Sequence, residues 1–180
     1  MKSLNLNATT YKENLYKELE KIVGKDLNKF EYPAISHLSL NIGVGKFENK
    51  QKDEIASQFE KLTGQKPKKV KTNKSIAGFK LRAGEVVGLQ VTLRSLKIYD
   101  FLINLVYTAL PRGRDFKGVS KSAWDKSSKT FSIGIPTTSI FPVIGFGNGI
   151  EFGLQLNIVF KDSNELNYKV LEILNIPFSK

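Results

Sequence analysis

The chain has 180 residues, 41% of them hydrophobic and 25% charged, with a formal net charge of +11 and a pI near 9.7. This balance excludes a disordered tail, allows one domain, and points toward a polyanionic partner. With no cysteine, disulfides, thiolate metal sites and cysteine nucleophiles are excluded too.

Residues 1–10 are polar and are expected to be a flexible N-terminus, leaving a single domain over 11–180. From Tyr11, the positions Leu15, Leu19, Ile22 and Val23 follow helical spacing, and Gly24 suits a stop. Ile35, Leu38, Leu40 and Ile42 form a strand-like run whose other face carries His37, Ser39 and Asn41. A second helix is expected through Ile55, Phe59 and Leu62, ending at Gly64. Val87, Leu89, Val91 and Leu93 alternate with Gly88, Gln90, Thr92 and Arg94, the pattern of a half-buried strand.

A third, almost wholly apolar helix is predicted from about Ser95 to Leu110, stopped by Pro111. An irregular stretch follows to Gly149, with a strand expected at Thr130 to Ile135. Alternation from Ile150 to Phe160 predicts another strand, and Ser163 is placed as the cap of a last helix through Leu166, Val170, Ile173 and Leu174. Alternating strands imply a sheet with one wet face. The expected fold is therefore α+β: an antiparallel β-sheet with helices packed on one face and a long basic hairpin arm at about 71–84. No run approaches the roughly 20 apolar residues of a bilayer span, so no membrane partner is expected. MKSLNLNATT lacks the apolar core of a signal peptide, which predicts a cytoplasmic protein.

The charge is concentrated. Lys61 to Gly84 carries Lys61, Lys66, Lys68, Lys69, Lys71, Lys74, Lys80 and Arg82 with no Asp or Glu between Glu60 and Glu85. Such a cluster repels itself unless a polyanion is near, and nucleic acid is the commonest one. Beside it, Asn41 and Thr92 are neutral hydrogen-bonding residues on the polar faces of two strands, suited to ribose hydroxyls and base edges of folded RNA. A merely solvated sheet face is the competing reading. No Phe or Tyr occupies those outward positions, so stacking of splayed bases is not the expected mode. Arg112 and Arg114 lie in a turn after the apolar helix and suit phosphate, or else the negative end of the helix dipole. Arg94 is grouped with the phosphate contacts.

Catalytic materials are scarce. His37 is the only histidine, no carboxylate pair stands out, and Asn41-Ile-Gly-Val-Gly45-Lys46 lacks the third glycine or the Gly-Lys-Ser/Thr ending of a nucleotide loop. No enzyme activity, cofactor or metal is expected.

Five blocks then resemble one family. They are Asn41-Ile-Gly-Val-Gly45, Leu62-Thr-Gly-Gln-Lys-Pro67, Lys74-Ser-Ile-Ala-Gly-Phe-Lys-Leu-Arg82 with Gly84, Val91-Thr-Leu-Arg94, and Pro111-Arg-Gly-Arg-Asp-Phe116. With the ending Ile176-Pro-Phe178, the chain resembles the bacterial large-subunit ribosomal protein L-five (L5) family from about Tyr11 to Phe178. The resemblance implies a structural protein of the large ribosomal subunit, bound to 5S ribosomal RNA in the central protuberance. It implies that Asn41, Gln65 and Thr92 hydrogen-bond 5S RNA; Lys66, Lys68, Lys69 and Lys71, by their charge, are expected to neutralise phosphates nearby. The arm (Lys74, Ser75, Gly78, Phe79, Lys80, Leu81, Arg82, Ala83) is implied to approach the peptidyl-site tRNA. Further implied partners are 23S ribosomal RNA, neighbouring large-subunit proteins, and small-subunit protein S-thirteen across the subunit gap. The chain departs from the family at Ala123 to Phe131 and at Thr137, Thr138 and Val143, where polar or acidic positions are lost; this region faces the subunit gap in the family. The alternatives are a free-standing RNA chaperone, which would bind RNAs alike, and an RNA-processing factor, which would need a nucleophile, base or metal.

Overall fold

The computed structural model describes residues 7–23, 34–75, 77–79, 81–113, 118–120, 123–144, 150–162 and 166–178. Its helices are α1 (Ala8–Val23), α2 (Asn49–Thr63), α3 (Leu96–Ile103) and α4 (Leu166–Ile173). The strands are β1 (Ile35–Gly43), β2 (Lys68–Lys71), β3 (Val86–Leu93), β4 (Trp124–Asp125), β5 (Thr130–Ile135) and β6 (Leu154–Phe160). They form one six-stranded antiparallel sheet in the order β2-β3-β1-β6-β5-β4, an α+β fold. Close contacts divide the chain into two compact units, each discontinuous in sequence: 1–38, 93–133 and 157–180 in the first, 39–92 and 134–156 in the second.

In the first unit, α1 buries Ala8, Tyr11, Leu15 and Leu19, one stripe at helical spacing. It contacts both α3 and α4. The helix starts at Ala8, three residues before the expected Tyr11, because Asn7 C=O already accepts the Tyr11 N–H (2.9 Å) and Ala8 is buried. The apolar helix predicted to Leu110 is three pieces. α3 ends at Ile103, a π-helical turn covers Asn104–Ala109, and a 3₁₀ turn covers Leu110–Arg112. The Leu110 N–H reaches back five residues to Leu105 C=O. Pro111 explains the change of register: it has no N–H, and its ring would clash with a carbonyl in a regular helix. Leu105, Val106, Ala109 and Leu110 are nevertheless buried, so the apolar reading of the segment holds.

In the second unit, α2 has a capping box, with Gln51 Oε1 accepting the Glu48 N–H at 3.0 Å. It ends at Gly64, whose φ of 62° is the left-handed conformation a side chain disfavours. Ile55 and Phe59 are fully buried, as are Leu40, Val44 and Leu156. β6 begins only at Leu154, although Phe152 is buried as alternation predicted. Phe152 C=O instead takes the Thr138 N–H at 3.1 Å, at the start of the 3₁₀ turn Thr138–Ile140. The Gly24 stop and the Ser163 cap lie outside the described residues.

Candidate nucleic-acid interface

β1 turns Leu38, Leu40 and Ile42 into the core and leaves His37, Ser39 and Asn41 half-buried on its other side. β3, the next strand, does the same with Leu89, Val91 and Leu93 against Gly88, Gln90 and Thr92. Period-two alternation therefore sets Asn41 and Thr92 on adjacent strands, away from the buried apolar rows. Gln65 arrives from the end of α2. The αL turn at Gly64 reverses the chain, and Thr63 Oγ1 donates to Phe59 C=O (2.8 Å) while lying 3.0 Å from Gln65 C=O. Gln65 Nε2 then donates to Thr92 C=O at 3.4 Å. The structure thus brings Gln65 and Thr92 into contact, and Asn41 lies on the strand beside them.

Next to Asn41 a shallow groove of about 660 Å³ is lined by Ile42, Gly43, Gly134, Ile135, Pro136, Gly153, Leu154 and Gln155. A methyl group built on Gly43 or Gly134 would meet nothing within 4 Å, so these two glycines are not required by packing.

β2 is an edge strand, and Lys68, Lys69, Val70 and Lys71 are all exposed, as is Lys66 before it. Charged lysines on an edge discourage pairing with another sheet, and the same charges are free to face an anion. Lys69 is an exception in part: its Nζ sits 2.6 Å from Asp53 Oδ1. With both side chains about half exposed or more (49% and 69%), that pair is worth about 0–1 kcal/mol, weak enough for a phosphate to displace.

β2 and β3 pair antiparallel, and their connection runs from Thr72 to Glu85. Val70 faces Gly88 but Lys71 faces Val86, so Val87 is passed over as a bulge. Thr72 N–H donates to Glu85 C=O and Gly84 N–H to Thr72 C=O, both at 2.9 Å. The Thr72 hydroxyl donates to Arg82 C=O (2.5 Å) and the Ser75 hydroxyl to Leu81 C=O (3.0 Å). A 3₁₀ turn at Ala77–Phe79 forms the far end. Lys74, Ser75, Gly78, Arg82 and Ala83 are exposed and Leu81 is half-buried; Phe79 is described by its backbone alone, and Lys80 lies outside the described residues.

Arg94 and Arg112 belong to the first unit, and both are exposed. Arg112 ends the 3₁₀ turn after the apolar segment. Arg114 lies outside the described residues. His37, also in the first unit, has its pKa lowered by burial and then by the Arg94 charge.

Sequence reasoning missed Lys52. It is buried, and its Nζ contacts Glu85 Oε1 at 3.1 Å. The signal was available: 52, 55, 59 and 62 share one helical stripe, so Lys52 occupies an apolar position.

The titrating groups give a pH profile. Glu85 is held below its ordinary value of 4.5, first by the Lys52 hydrogen bond and then by the Arg82 N–H. Asp125 is held below 3.8 by the Ser128 hydroxyl and then the Ser127 N–H. For these groups and His37, the unfolded chain binds protons more readily than the folded one. Their stabilisation is complete above the ordinary values and fades as pH falls, beginning near 6.5 for His37. Burial pushes the Tyr11 and Tyr99 hydroxyls well above 10.0, so their stabilisation is lost as pH rises past about 10. Urea unfolding from pH 3 to 11 should therefore give a plateau with falling limbs at both ends. His37→Gln is expected to remove the shallow limb starting near pH 6.5 and leave the carboxylate limb; an unchanged profile would contradict this assignment.

Comparison with known proteins gives a consistent result. Residues 28–82 match the model of the family described as ribosomal protein L5, and residues 86–178 match the model described as that ribosomal family's C-terminus. Among curated proteins, the chain is 40% identical over 176 residues to the large ribosomal subunit protein uL5 of Mesoplasma florum, covering 96% of this chain and 97% of that one. It is 39% identical over 177 residues to uL5 of Mycoplasma mycoides (94% and 96% covered) and 40% identical over 164 residues to uL5 of Limosilactobacillus fermentum (86% and 91%).

Proposed function

The chain belongs to the ribosomal protein L5 family of bacterial type, and from that premise we propose that it binds 5S ribosomal RNA through Asn41, Gln65 and Thr92. As a family member it is a structural, rRNA-binding component of the cytoplasmic large ribosomal subunit and not an enzyme. Lys66, Lys68, Lys69 and Lys71 neutralise phosphates beside that surface. The 74–83 segment is directed at a second RNA, the peptidyl-site tRNA. 23S RNA and, across the subunit gap, protein S-thirteen complete the partners.

The observation that carries the reading is the Gln65–Thr92 contact. It ties Gln65, just past the end of α2, to the Thr92 carbonyl of β3, the strand between β1 with Asn41 and β2 with its lysines. Neutral groups that both donate and accept suit ribose hydroxyls and base edges, while lysines on the neighbouring edge suit the backbone. Half-burial sharpens selectivity, because an RNA that fails to satisfy these groups leaves them desolvated and unpaired.

Gel-shift titration against 5S RNA and a tRNA-sized control tests it. Asn41→Ala and Thr92→Ala are each expected to cost about 1–3 kcal/mol of 5S affinity. The control RNA should lose much less. Equal losses on both RNAs would favour a chaperone that binds RNA without preference.

A further inference from the structure

Lys52 is the one lysine of α2 that is buried, with 5% of its surface exposed, and it shares a stripe with Ile55, Phe59 and Leu62. Its ammonium meets Glu85 Oε1 at 3.1 Å, and Glu85 Oε2 accepts the Arg82 N–H at 3.4 Å. The next residue, Asp53, bonds Lys69 at 2.6 Å. Consecutive helix residues of opposite charge thus hold the two limbs of the β2–β3 hairpin: Asp53 the incoming limb, Lys52 the outgoing one.

We propose that Lys52 is a positioning residue that, through Glu85, fixes the direction in which the 72–85 segment leaves the sheet. Its burial excludes a direct contact with RNA. A buried ammonium without its partner is costly, so the hairpin has one favoured placement, the one that brings Glu85 to Lys52. The Asp53–Lys69 pair is exposed and holds its limb only weakly. The Val87 bulge adds a need for such a restraint, since the skipped residue twists the hairpin where the segment departs. The Glu85 carboxyl, already ionised at neutral pH, is held below its ordinary value first by the same Lys52 hydrogen bond. The proposal rests on reading 74–83 as an RNA-directed arm, but the arm's direction is measurable without RNA.

The absence of cysteine permits spin labels at chosen sites. Labels on S57C and A77C, both exposed positions, report the distance from α2 to the far turn; a second pair on S57C and K68C reports β2 alone. In the free full-length protein, Lys52→Met and Glu85→Gln are each expected to broaden the 57–77 distance distribution at least twofold. The 57–68 distribution and the far-ultraviolet circular dichroism should stay unchanged. Lys52→Arg, which keeps the charge, should restore the narrow distribution. If Lys52→Met fails to fold, Glu85→Gln decides, because that side chain is one-third exposed and tolerates the amide. Equal widths in Glu85→Gln and the parent would overturn the proposal. Adding 5S RNA or tRNA separately tests the underlying reading: a 77 label that neither RNA immobilises would remove the arm's RNA contact, with the clamp still judged on the widths.

Discussion

Phe131→Ala is expected to destabilise the protein by about 3–5 kcal/mol, the largest effect of any single substitution argued from this structure. Phe131 lies on β5 with no exposed surface. Its ring meets Phe178 edge-on at 5.8 Å, and Phe178 stacks on Tyr168 of α4 at 4.9 Å. The same stretch is tied down by the backbone, since Val119 N–H donates to Pro177 C=O at 2.8 Å. Removing the ring therefore leaves a cavity and also withdraws the surface against which Phe178 packs. Phe131→Leu, which refills much of the volume, should cost about 1–2 kcal/mol. Urea unfolding monitored by circular dichroism measures both. A loss under about 1 kcal/mol for the alanine variant would mean that the neighbours collapse into the space and that the three rings do not act as one packed group.

The sequence was most legible where a strict period met a clear stop. β5 runs from Thr130 to Ile135 with the expected bounds, and α2 ends at Thr63, before the glycine expected to stop it. It was least legible where a tertiary contact overrides a local pattern. Alternation continued back to Ile150, but Phe152 C=O pairs with Thr138 and the ladder begins at Leu154. Helical apolarity ran to Leu110, but the missing donor of Pro111 works backward through the π turn. In the candidate site, alternation was enough to put Asn41 and Thr92 on polar faces. The Gln65–Thr92 bond spans 27 residues of chain and depends on the αL turn at Gly64, so no local pattern carries it. Lys52 was overlooked because a lysine reads as surface until its stripe mates are compared.

Replacing Lys66, Lys68, Lys69 and Lys71 together by glutamine should flatten the salt dependence of RNA binding by about 3 in log K against log salt, since each phosphate contact contributes roughly 0.7–0.9. Between about 50 and 200 mM salt the variant should accordingly lose about 60-fold less affinity than the parent. All four side chains are exposed, and glutamine keeps most of the stem, so the β2–β3 ladder should persist. Lys69 refines the expectation. Its ion pair with Asp53 competes with phosphate, so Asp53→Asn should steepen the slope by a fraction of one charge while the quadruple variant flattens it. Opposite signs from changes at the lysine edge and at the α2 residue that pairs with it are hard to obtain from misfolding. The neutral residues should behave differently again: Asn41→Ala moves the intercept for 5S RNA and leaves the slope alone, because no counterion is released at an amide. An unchanged slope in the quadruple variant would reduce the lysines of β2 to guards of an exposed sheet edge, and phosphate neutralisation would then have to come from cations elsewhere on the chain.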